Sequence, residues 1–131
     1  MAAGSIAKLF LKELGISITA YTRSIGSVVV SNEAFSFKEI MENPVSMPSN
    51  EVADKALSLI SKARENKDSI GGTIECIVSG LKPGIGETVF DKLDATLAYA
   101  VMGIGGVKAF EVGEGIHCLL YTSPSPRDGA T

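Results

Sequence analysis

The sequence predicts a mixed fold in which helices and strands alternate, built as either a parallel α/β sheet or an α+β sandwich. Three observations predict it. Apolar residues recur at helical spacing in three segments, β-rich runs separate or follow them, and glycine or proline marks the junctions. The pattern by itself does not decide between parallel and antiparallel strands.

The first helix rests on Ile6, Leu9, Phe10 and Leu14, an i, i+3, i+4, i+8 stripe, with Gly15 as its stop. Ile16 to Val30 is then rich in β-branched residues, and Gly26 is a candidate bulge or bend. Residues 31 to 50 form a loop-rich connection with Asn43-Pro44 and Pro48-Ser49-Asn50, interrupted by a short helix near Phe37 to Met41. Asn50 is a candidate cap for a second helix over Glu51 to Asn66, whose apolar face is Val52, Ala56, Leu59, Ile60 and Ala63. Lys62, Arg64 and Lys67 gather near its C-terminal end, where the helix dipole favours cations. Ile70 to Ser79 reads as a strand, and Ile77 breaks its alternation in the direction of cover on both faces.

A Gly/Pro loop, Lys82 to Thr88, leads into a third helix over Val89 to Met102. Thr88 and Asp91 have capping-box spacing, and Leu93, Leu97, Ala100 and Val101 make the expected core face. Val107 to Val112 completes the pattern as a strand. From Leu120 to Thr131 the periodicity stops and the chain becomes Ser/Pro-rich, resembling a translated adapter or cloning scar. The expected division is therefore a domain over 1–116 and a non-native or disordered tail over 117–131, with native sequence ending between Gly115 and Leu119.

The 131 residues fit one domain able to bury a core, and 45% hydrophobic against 21% charged residues is a globular balance. A net charge of −3 gives no reason to expect nucleic acid or an anionic membrane as a partner. No apolar run approaches the ~20 residues of a membrane span, and the N-terminus lacks the basic start of a signal peptide. The expected location is the cytoplasm, with Cys76 and Cys118 as thiols and Cys76 as a small buried hydrophobe in its strand. His117 is the sole histidine and has no Cys/His cluster beside it, so no metal site is expected.

Glycines cluster at Gly71-Gly72, Gly84/Gly86, Gly103/Gly105/Gly106 and Gly113/Gly115, the marks of turns that a ligand could approach closely. Gly103-Ile104-Gly105-Gly106 follows a helix and precedes a strand, the reverse of a dinucleotide-binding fingerprint, and a helix stop with a tight turn is the plainer reading. Lys82 to Glu87 likewise reads first as a shaped connection. Asp91 and Asp94 read as first-turn helix acids, and Asp68-Ser69 as a helix-to-strand junction. Lys108 and Glu111, three apart on a strand, would face opposite sides. No nucleophile–base constellation assembles around His117. From the residues alone, a small non-enzymatic α/β ligand-binding or regulatory domain remains an alternative to an enzyme.

Four blocks carry a resemblance. Ala2 to Lys8 (AAGSIAK), Asp68 to Gly72 (DSIGG), Gly84 to Ala95 (GIGETVFDKLDA) and Met102 to Gly115 are similar, in order and spacing, to the central part of the chorismate synthases. The resemblance covers Ala2 to Ile116. It implies an α+β fold, part of a β-α-β sandwich with helices between antiparallel sheets. It further implies an enzyme converting 5-enolpyruvylshikimate 3-phosphate to chorismate plus phosphate by 1,4-elimination. Reduced FMN is the implied cofactor, with NADPH a possible source of reducing equivalents, and a cytoplasmic homotetramer the implied assembly. Gly105 and Gly106 match the two family positions that contact FMN, where Pro-Ala is common, so Gly-Gly implies a looser turn.

The family's two acid/base histidines and arginine-rich pocket lie before the Ala2 block, so no catalytic residue carries over. Met1 falls where the family has a residue within a helix, and a truncated or misassigned start is expected. Thr88 stands for the family's Pro, Gly103 for Ser, Ala109 for Gly and Ile116 for Phe. The chain alone is expected to be inactive.

Overall fold

The structure, a computed structural model, describes residues 1–113 and 115. The expected foreign tail over 117–131, with His117 and Cys118, lies outside the described residues. The chain divides into two compact units, Met1–Leu81 and a second that begins at Lys82.

The first unit opens with helix α1, Ala2–Glu13. Its end is a Schellman motif: the Gly15 amide donates to the Lys12 carbonyl at 3.0 Å and the Ile16 amide to the Leu11 carbonyl at 2.9 Å, with Gly15 at φ +78°. Strands β1 (Ser17–Ile25) and β2 (Val28–Val29) come next as an antiparallel hairpin. Ile25 faces Val28, so Gly26-Ser27 is a two-residue turn, and Gly26 at φ +55° occupies the first central position of a II′-type connection. Gly26 is thus the bend. The bulge falls at Arg23, the extra residue between Thr22, paired with Ile74, and Ser24, paired with Thr73.

Two 3-10 turns, Asn32–Ala34 and Glu39–Met41, punctuate the long connection. Asn43 organises the segment between the second of them and the next helix. Its side-chain amide donates to the Glu39 and Met47 carbonyls, both at 2.7 Å, and to Asn50 Oδ1 at 3.1 Å; its Oδ1 accepts from the Met47 amide at 2.9 Å. Helix α2 spans Asn50–Glu65. Ser49 is its cap, accepting from the Val52 amide, one residue before the Asn50 cap expected from sequence, and Asn50 is the first helical residue. Its end repeats the Schellman pattern, with the Lys67 amide on the Arg64 carbonyl and the Asp68 amide on the Ala63 carbonyl. Lys67 takes the positive φ, +54°, that glycine takes in α1.

Strand β3, Gly72–Ser79, pairs antiparallel with β1, giving the order β2-β1-β3. Antiparallel pairing resolves the two architectures left open by the pattern: the fold is α+β. The core lies at the hairpin end, where Val30, Met47, Ala53 and Ala56 are fully buried and Ile25, Val28, Val45 and Val52 pack around them. The predicted apolar face of α2 points into this side, with Val52, Leu59, Ile60 and Ala63 half-buried around buried Ala56.

Elsewhere cover is missing. Ile6, Leu9, Phe10 and Leu14 on α1 are each more than half exposed. Every residue of β3 is exposed, which corrects the expectation of cover on both faces and of a buried Cys76. β3 is an edge strand, and among the described residues it pairs only with β1.

In the second unit, helix α3 is Leu93–Met102, shorter than the predicted Val89 to Met102. The capping box does not form. Lys92 occupies the N-cap without a side-chain bond, while residues 86–91 fold into a turn closed by the Glu87 amide on the Asp91 carbonyl at 2.9 Å, with Val89 at φ +71°. Leu93 and Val101 are half-buried, but Leu97 and Ala100 of the predicted core face are exposed. Val107 to Val112 is not a strand. Its first amide, that of Val107, bonds the Ile104 carbonyl in a turn, and the segment joins no ladder among the described residues. Strand propensity without a neighbouring strand leaves the backbone irregular.

Candidate functional site

The turn after α3 holds both residues that the sequence marks for cofactor contact. Gly103 caps the helix in the right-handed region, and the Ile104 amide reaches the Val101 carbonyl at 3.0 Å. The Val107 amide then donates to the Ile104 carbonyl at 3.2 Å, so Ile104 to Val107 form a β-turn with Gly105 and Gly106 at its centre. Gly106, at φ +90°, sits at the third turn position, where a type II turn demands a positive φ. A Cβ on either glycine would meet nothing within 4 Å. The turn therefore presents bare peptide planes with open space on their side-chain side. Neither residue supplies a group that holds a proton.

The other sequence candidates are structural. The Asp68 carboxylate accepts from the Ser69 amide at 2.8 Å and shapes the approach to β3. The Gly71 carbonyl accepts from the Gly26 amide at 2.8 Å, tying DSIGG to the hairpin turn. A Cβ on Gly72 would collide with the Ser24 carbonyl oxygen, so the bulge in β1 explains that glycine by close backbone approach. The Asp94 carboxylate accepts from the Ala95 amide in the first turn of α3, and Asp91 lies outside the helix. Lys108 and Glu111, expected on opposite faces of a strand, lie on an irregular segment instead.

One cluster was not legible in the sequence. Tyr21, Arg23, Asn32, Phe35, Glu75 and Ile77 line a shallow hollow of about 350 Å³ on one face of the sheet. The register sets Tyr21 opposite Glu75, and Arg23, two residues on, lies on the same face. Arg23 Nε lies 3.6 Å from Glu75 Oε2, and Arg23 Nη2 donates to Asn32 Oδ1 at 2.7 Å. Burial, then the adjoining Glu75 carboxylate, pushes the Tyr21 phenol up to about 12, with Arg23 pulling weakly the other way. Phe35 stands edge-on to the Tyr21 ring at 4.9 Å. The polar groups satisfy one another, so the cluster clamps the bulge to β3 and to the Asn32 turn. Only pairing between strands far apart in sequence brings it together.

A family model described as chorismate synthase matches residues 1–130. The chain is 44% identical to the chorismate synthase of Lachnospira eligens over 128 residues, covering 98% of this chain and 35% of that protein. It is 46% identical to that of Methanococcoides burtonii over 117 residues, 88% of this chain and 32% of that protein. The crystal structure of a chorismate synthase superposes with a TM-score of 0.80 at 26% identity, covering 88% of this chain and 39% of that one. The chain thus spans about a third of the length of the curated relatives it matches. With the AAGSIAK, DSIGG and GIGETVFDKLDA blocks on these elements and a family match along the sequence, the chain belongs to the chorismate synthase family.

Proposed function

We propose that this chain carries the central part of an enzyme that converts 5-enolpyruvylshikimate 3-phosphate to chorismate plus phosphate, in aromatic amino-acid biosynthesis. In this 1,4-elimination a ring proton leaves and the C–O bond to phosphate breaks. The observation that carries the reading is the family match through residues 1–130. Reduced FMN, with NADPH as a source of reducing equivalents, supplies electron density transiently when bound. Gly105 and Gly106 are the residues assigned to contact it, through their uncovered backbone. The whole enzyme is a cytoplasmic homotetramer in this reading.

By itself the chain is inactive in this proposal. General acid–base chemistry needs a positioned proton carrier, and the sequence holds one histidine where the resemblance implies two. Chorismate release, followed by chromatography with substrate and reduced FMN, is expected to be nil for this chain; turnover would overturn that part. In the Lachnospira eligens relative, leucine at the two positions matching Gly105 and Gly106 is expected to weaken FMN binding about tenfold in a fluorescence titration. Unchanged affinity would remove the assignment. Ligand binding by this chain in a cooperatively folded state, with no chorismate formed even by the complete relative, would favour the non-enzymatic regulatory domain.

A further inference from the structure

We draw no further inference here: the strongest candidate, the hollow that Tyr21, Arg23, Asn32, Phe35, Glu75 and Ile77 line on one face of the sheet, carries none, because its charged groups already pair within the cluster and nothing in the structure shows what covers it.

Discussion

Tyr21 shows how a single side chain couples the sheet to pH. Its phenol is buried and adjoins the Glu75 carboxylate, which together raise its folded value from 10.0 to about 12. A raised folded value means the neutral form is favoured by folding. The contribution is therefore complete below pH 10 and is lost as pH rises toward about 12. The loss is at most ~2–3 kcal/mol over that window. Denaturant melts from pH 9 to 12 are expected to show stability falling faster in the parent than in Tyr21→Phe, and parallel curves would refute the coupling. The pairing of Tyr21 with Glu75 was invisible in the sequence because residues 54 apart meet only through strand register. Gly105 and Gly106 were visible, since adjacent glycines after a helical pattern mark a turn. Their type II geometry makes Gly106, not Gly105, the residue held by backbone conformation.

At the level of elements, the connection between β2 and α2 shows what propensity leaves out. Asn43 reads in sequence as a turn former before Pro44. In the structure its one amide group bridges the Glu39 turn, the Met47 backbone and Asn50 at the start of α2. Removing it leaves part-buried carbonyls and an amide without partners, at a cost of ~1–3 kcal/mol. Asn43→Ala is expected to lower the urea midpoint accordingly, and Asn43→Asp, which sets a carboxylate oxygen against the Glu39 and Met47 carbonyls and Asn50 Oδ1, to lower it at least as much. Equal midpoints for parent and Asn43→Ala would mean that the network adds nothing. Helix α2 was legible because its apolar stripe, cap and basic end agree. Helix α3 was legible in its body but not at its start, where GIGETVFDK closes a turn on itself and overrides a capping-box spacing. The strand over Val107 to Val112 failed for want of a neighbour: β-propensity describes residues suited to a sheet, and a sheet also needs a partner.

For the molecule as a whole, the decisive feature is how little apolar surface is covered. The core is confined to one end of the first unit, while the stripe of α1 and the faces of β3 lie open. In the second unit α3 carries exposed Leu97, Tyr99 and Met102. Exposed apolar patches of this kind belong to interfaces or to unfinished cores. The isolated chain is expected to enhance the fluorescence of the apolar dye ANS in buffer without denaturant, and to aggregate on warming before a cooperative transition completes. A sharp reversible melt with no dye binding would show that these faces are covered in solution.

The sequence by itself determined the bodies of the helices, a break at Gly26, the turn at Gly105-Gly106 and the family, because each is written in local spacing or in an ordered run of residues. Only the tertiary structure decided that the sheet is antiparallel, that Arg23 meets Glu75, that Cys76 is exposed and that Val107 to Val112 is not a strand. The physical reason is common to all four. Each depends on which strands lie beside one another and on what covers them, and neither is encoded within any one segment.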